Sequence, residues 1–197
     1  MSVKKTYILS LFLSIGTFLI LSPVLFQLTS YLHPIVLVVV WFCIYMFYFI
    51  SLLLIRKESI QLSYSLFLTF ILFYTIGLLI LLFLRPNDQS YNSINLIPFS
   101  TIAFYLSGKV DVLISLYNLA ANIGLFLPYG ILLRVNRASL LKIIILPFAA
   151  ITSIELLQFF THRGSLDIDD LLLNLLGVYI GCWLFPLFNK IVKIPSH

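Results

Sequence analysis

The chain has 197 residues, of which 61% are apolar and only 10% charged, and its mean hydropathy is +1.11. Soluble domains are roughly 45–50% apolar and about 25% charged, so these proportions exclude a soluble enzyme, a disordered tail and a secreted disulfide scaffold. They fit an all-α integral membrane protein. The net charge of +5 is scattered in ones, twos and threes between apolar runs, a pattern of membrane topology and not of a nucleic-acid surface.

From Thr6 to Ile55 there is no Asp, Glu, Lys or Arg, a run too long for one membrane helix of about 20 residues. It breaks at Thr29-Ser30-Tyr31-Leu32-His33-Pro34, where Pro suits the start of a new helix because its missing N–H costs nothing there. Spans 1 and 2 are therefore predicted at 7–28 and 34–55. The first apolar run exceeds the roughly 7–15 residues of a signal-peptide core and no small-x-small cleavage pattern follows, so it is kept as a span. Arg56-Lys57-Glu58 closes span 2, and span 3 runs over 60–84 to Arg85-Pro86-Asn87-Asp88.

Gln89 to Gly108 is uncharged but rich in Ser, Thr, Asn and Tyr. It is too polar to cross a membrane and too apolar for a free loop. The expectation is an interfacial or re-entrant segment with a short helix after Pro98, packed on the bundle, because irregular backbone at membrane depth must be covered by protein or water. Spans 4, 5 and 6 follow at 112–133, 140–160 and 171–189. The predicted architecture is a six-span helical bundle: three N-terminal transmembrane helices in 1–84, an extracytoplasmic interfacial segment in 85–111, and three C-terminal transmembrane helices in 112–197.

Basic residues in the connections set the orientation. Lys4, Lys5, Arg56, Lys57, Arg134, Arg137, Lys142, Lys190 and Lys193 fall on one side, and Arg85, Lys109 and Arg163 on the other. The positive-inside rule puts the larger set, and both termini, in the cytoplasm. Asp88, Asp111, Asp167, Asp169 and Asp170 all fall outside.

This topology places polar residues by depth. Asn118 and Asn122 share a face in the outer half of span 4. Thr152, Glu155 and Gln158 lie in the last turns of span 5. Asp170, Asn174, Gly177 and Gly181 form one stripe down span 6. The connection between spans 5 and 6 adds His162, Arg163 and Asp167, and the segment from Ser93 to Phe99 lies on the same side. An ionisable group at mid-span costs roughly 2.5–3.5 kcal/mol on insertion scales, so Glu155, near the end of its span, is expected to face protein.

Much of this pattern also has a purely structural reading. Asp167 can cap span 6 with Asp170 at its third position, and Asp169 suits the positive helix end. Gly177 and Gly181 suit close helix packing, and the amides can bond between helices at about 0.6 kcal/mol each. Pro23 and Pro128 can kink their spans. Cys43 and Cys182 lie in apolar runs and read as inert buried thiols. Glu155 is harder to assign this way, since helix packing requires no carboxylate there.

The same residues resemble a family. Asn95-Leu96-Ile97-Pro98-Phe99 is one block, and Asn122-Ile123-Gly124-Leu125-Phe126-Leu127-Pro128-Tyr129-Gly130 another. Glu155-Leu156-Leu157-Gln158-Phe159-Phe160 is the third, continuing through Arg163, Asp167, Asp170, Asn174, Gly177 and Gly181. In this order, over about 92–185, they resemble VanZ-like membrane proteins. The resemblance implies a multi-pass protein of the bacterial plasma membrane and a context of low-level resistance to teicoplanin, but no reaction. Teicoplanin carries an acyl chain, which fits action at the outer membrane surface.

Three classes of function follow. In the first, the outer cluster binds or modulates a lipid-linked wall precursor, a lipid or a lipoglycopeptide. Asn95, Asn122, Gln158, Asp167, Asp170 and Asn174 would hold it, and Arg163 would meet phosphate or carboxylate with its planar fork. In the second, a membrane enzyme uses Glu155 as general acid or base and Arg163 against developing negative charge, with Asp167 and Asp170 orienting groups or holding a divalent cation. No Ser-His or Cys-His pair, phosphate loop or zinc spacing accompanies them, and no cofactor or metal site is expected. In the third, the polar stripe only assembles a bundle or a complex. A transporter would need a polar path through the inner half, which the Leu, Ile and Phe there do not offer. The expected partners are the lipid bilayer and such envelope molecules, with no nucleic acid.

Overall fold

A computed structural model describes residues 3–28, 35–83 and 94–195. The helices are α1 (Val3–Leu28), α2 (Ile35–Arg56), α3 (Tyr64–Phe83), α4 (Ser100–Leu106), α5 (Val112–Val135), α6 (Leu140–Phe160) and α7 (Ile168–Ile191). Two-residue strands punctuate them: β1 (Ile60–Gln61), β2 (Ile94–Asn95), β3 (Leu166–Asp167) and β4 (Val192–Lys193). The protein is thus all-α. Among the described residues, five helical stretches are long and apolar enough to cross a membrane: Val3–Pro23, Tyr64–Phe83, Ile114–Val135, Leu140–Phe160 and Ile168–Ile191. The apolar stretch of α2, Val40–Arg56, is shorter.

The chemistry of the sequence explains these elements. Long Leu, Ile and Phe runs satisfy every backbone group within the helix, the condition for burial in lipid. They also lack the polar face of a soluble helix, and Phe12, Ile20, Phe73 and Trp183 stand strongly exposed. α6 matches its predicted span. α7 begins ahead of residue 171, at Ile168, because Asp167 caps it with its own side chain. α3 begins at Tyr64 and not at 60, because Ile60 and Gln61 pair in parallel with Val192 and Lys193. The predicted break at 29–34 and the end of span 3 fall outside the described residues.

The chain divides into two compact units, Met1–Leu62 with Leu187–Pro195, and Ser63–Pro186. In the first, α1 packs along α2. A stripe of Thr6, Ser10 and Ser14 is fully buried, and the two serines return their hydroxyls to Tyr7 O and Leu11 O. Thr6 donates to Glu58 Oε2 at 2.6 Å and accepts from the Arg56 guanidinium at 2.9 Å. Phe49, Leu53 and Ile191 form the core of this unit.

The second unit packs α3, α5, α6 and α7 around Leu78, Leu82, Phe126, Ile151, Leu175 and Val178. Backbone meets backbone between α5 and α7. A Cβ on Gly177 would lie 2.1 Å from Ile123 O, and one on Gly181 would lie 2.0 Å from Leu127 O. A Cβ on Gly130 would lie 2.0 Å from Val178 O. The pairs ascend together in sequence, so α5 and α7 run parallel. α3 runs antiparallel to α5: Tyr64 bonds Asn136 Oδ1, and Tyr74 bonds Leu125 O. The end of α3 meets the end of α6 where Gln158 donates to Leu82 O at 3.1 Å. One end of this unit therefore gathers the ends of α3 and α6 and the beginnings of α5 and α7. β2, α4 and β3 sit at that end, β2 pairing in parallel with β3 as Ile94 with Leu166 and Asn95 with Asp167.

Candidate functional site

The site is built on that β pair. Asp167 caps α7, its Oδ1 accepting the Asp169 N–H at 2.9 Å, as an N-cap residue does. Its Oδ2 accepts the Thr101 hydroxyl at 2.5 Å, and the Asn95 amide approaches both oxygens at 3.3 and 3.4 Å. The same amide reaches Ser100 Oγ at 2.8 Å and Thr101 Oγ1 at 2.9 Å.

Asp169 has a role that sequence reasoning missed. Its expected place at the positive end of α7 holds, but its carboxylate, fully buried, serves α4. It accepts the backbone N–H groups of Phe99 at 2.5 Å, Thr101 at 2.8 Å and Ile102 at 3.1 Å. These are donors that the start of a helix leaves unpaired. Phe99 adopts the left-handed conformation, φ 66°, costly for a bulky residue. Phe99, Leu96 and Ile97 are all exposed, an apolar surface in the same segment as this polar clamp.

Below the clamp lies a cleft of about 350 Å³. Its lining includes Asn118 and Asn122 from α5, Glu155 and Gln158 from α6, Asp170 and Asn174 from α7, and Asp167 from β3. Thr101 and Tyr105 of α4, with Gly164 and Ser165, complete the polar wall, and Leu82, Leu125 and Phe126 lie among the apolar residues. Asn122 donates to Asp170 Oδ1 at 2.6 Å, and Asn174 donates to Glu155 Oε1 at 3.3 Å. Glu155 and Asn174 are each 5% exposed, so the carboxylate faces protein and not lipid. Burial raises the Tyr105 phenol above its ordinary range, and the carboxylates of Asp170 and Asp167 raise it further.

Of the residues singled out from sequence, the cleft brings together Asn122, Glu155, Gln158, Asp167, Asp170 and Asn174. Asn95 stands behind Asp167 as part of its clamp. Arg163 lies in the turn after α6, its backbone N–H bonded to Gln158 O at 2.8 Å. The two residues that follow it line the cleft, so Arg163 belongs to the turn that forms the rim. Thr101 and Tyr105 were not singled out, although their i,i+4 spacing after Pro98 puts them on one face of the short helix. Among the described residues, no group of three His, Cys, Asp or Glu side chains is placed to hold a metal ion.

The profile of the VanZ/LLP1 family matches residues 35–189. The chain belongs to the VanZ/LLP1 family. Protein VanZ of Enterococcus faecium is 34% identical to it over 71 residues, which are 35% of this chain and 44% of that protein. The match thus spans less than half of that relative's length. No solved structure matches. In this VanZ-family chain, the matched stretch contains the whole lining of the cleft and both strands of its clamp.

Proposed function

We propose that this VanZ-family chain is a six-span protein of the bacterial plasma membrane, with both termini in the cytoplasm. In this reading its cleft opens at the extracytoplasmic face and takes the polar part of an envelope amphiphile: a lipid-linked wall precursor, a membrane lipid or a lipoglycopeptide. The observation that carries it is the convergence of Asn122, Glu155, Asp170 and Asn174 on one cavity of about 350 Å³, with an acid held inside apolar helices. Such an acid marks a site by default. Ligand sites are commonly concave, with convergent polar groups that fix the orientation of what they hold.

Orientation is supported within the second unit. Arg134, Arg137 and Lys142 belong to the α5–α6 connection at the far end, whereas Lys109 and Arg163 belong to the cleft end with Asp111, Asp167, Asp169 and Asp170. That division follows the positive-inside rule. The exposed Leu96, Ile97 and Phe99 suit the interfacial placement of the β2–α4 segment.

The test pairs Glu155→Gln with Arg163→Ala. Each variant is expected to reach the membrane at normal level and to lose a phenotype such as reduced teicoplanin susceptibility. Loss of the protein itself in both variants would assign the polar cluster to assembly alone. A catalytic reading rests on the same buried Glu155, placed as a general acid or base beside the cleft. Turnover of labelled wall precursor by purified protein separates it from binding, in which the molecule is held unaltered.

A further inference from the structure

Resting on the binding reading above, we infer that the cleft is entered sideways from the outer leaflet, through a gap between α3 and α5 at Leu81 and Asn118. Its occupant is then a bilayer-anchored amphiphile whose headgroup enters while its chains stay in lipid.

The gap follows from where α3 and α5 are joined. The antiparallel pair is bonded at Tyr64 and Asn136, and again where the Tyr74 phenol donates to Leu125 O at 2.9 Å. Two helical turns return a residue to nearly the same face. Leu81, two turns past Tyr74, is therefore on the row of α3 that faces α5. Asn118, two turns before Leu125, is on the row of α5 that faces α3. Continuing the register sets Leu81 opposite Asn118, where a third contact would close the seam. Instead both residues line the cleft, and Leu81 is 49% exposed. The end of α3 is drawn to α6, where the buried Leu82 accepts from Gln158 at its carbonyl oxygen. Helices that meet at Tyr74 have parted two turns later, and the cleft lies in the parting.

Exposure along the lining marks the same mouth. Leu81 of α3 and Tyr117 of α5, 69% exposed, are the exposed residues of the cleft wall, and the other lining residues are half-buried or buried. Both belong to apolar stretches long enough to cross a membrane, Tyr64–Phe83 and Ile114–Val135. Each lies within about one turn of the end of its stretch, the level at which tyrosines meet lipid headgroups. Asn122, one turn below Asn118, carries the polar lining inward. A chain pulled from hydrocarbon into water loses the burial of every methylene. A headgroup that slides through this gap leaves its chain in lipid beside Leu81. At the mouth it meets the Asn118 amide, which can both donate and accept, as headgroup hydroxyls do.

The experiment uses the full chain in phosphatidylcholine nanodiscs that contain a glucosyl diacylglycerol with a diazirine on its sugar. The soluble probe is the same diazirine glucose without the lipid. After irradiation, peptide mapping by mass spectrometry locates label at the cleft residues Asn122 and Asp170. The lipid probe is expected to label them and the soluble probe to leave them unlabelled. In a second arm, Leu81→Cys with Asn118→Cys, on a background of Cys43→Ser and Cys182→Ser, is bridged by a bismaleimide. Bridging is expected to abolish lipid labelling relative to the same protein before bridging. Labelling by the soluble probe as strong as by the lipid would overturn the inference and leave the binding reading standing, since the cleft would fill from water. Lipid labelling that survives the bridge would overturn it as well. The wild-type comparison needs no variant to fold. Labelling by neither probe would also overturn sideways entry, while leaving the broader reading to the Glu155→Gln phenotype.

Discussion

The carboxylate of Asp169 accepts the backbone N–H of Thr101 at 2.8 Å across 68 residues of sequence. With Phe99 and Ile102 as its other donors, this one side chain fixes where α4 begins and holds the helix that supplies Thr101 and Tyr105 to the cleft wall against the first turn of α7. Charged hydrogen bonds contribute about 1.5–3 kcal/mol each, and a buried donor left unmade costs about 1–3 kcal/mol. Asp169→Ala is therefore expected to free α4 first and to accelerate hydrogen exchange at the Thr101 and Ile102 amides by about a hundredfold or more. Asp169→Asn should fall between, since one amide oxygen remains. Exchange at those amides unchanged in the alanine variant would show that α4 is held by other means.

The glycines of the α5–α7 seam give a sharper contrast. A Cβ at Gly177 would sit 2.1 Å from a backbone oxygen, whereas one at Gly124 would meet nothing within 4 Å. Gly177→Ala must push two helices apart, and overpacking of this kind costs about 1–3 kcal/mol or more. Gly124→Ala is expected to be neutral or to stabilise by up to about 1 kcal/mol through helix propensity. Thermal melting of both variants in the same nanodisc checks the pair, and equal melting temperatures would refute the close approach. Gly181→Ala should follow Gly177→Ala.

These two cases show what was legible in the sequence. Helices were readable because a membrane span announces itself by length and hydropathy, and α6 was bounded on both sides by polar residues. Gly177 and Gly181 were readable as a packing surface because their spacing is helical, but nothing local named α5 as the partner. Asp169 was assigned to the end of its own helix by position, yet its hydrogen-bond partners lie near residue 100, and no local pattern encodes a contact of that range. Ile60 and Gln61 were assigned to span 3 because they continue an apolar run. Their pairing with Val192 and Lys193 depends on a strand at the other end of the chain. In the cleft, the stripes on α5, α6 and α7 were each visible as faces, whereas the wall supplied by Thr101 and Tyr105 depended on how the segment after Pro98 folds back.

The bond between Asn122 and Asp170, 2.6 Å long, tests whether the cleft's polar wall is an organised pair or two groups that happen to be near. Asn122→Asp removes the donor and places a second carboxylate against the first, so it is expected to lower the melting temperature and weaken any cleft ligand. Asp170→Asn alone replaces the carboxylate with an amide and loses the charge that strengthens the bond. The double variant, Asn122→Asp with Asp170→Asn, restores one amide and one carboxylate in reversed order. A double-mutant cycle isolates the pairwise part of these losses. The expected coupling is about 1.5–3 kcal/mol, the range for a hydrogen bond to a charged partner, with the double variant more stable than Asn122→Asp alone. Additive losses would mean that α5 and α7 are positioned by the Ile123–Gly177 and Leu127–Gly181 contacts alone. Asn122 and Asp170 would then be left without a mutual structural role.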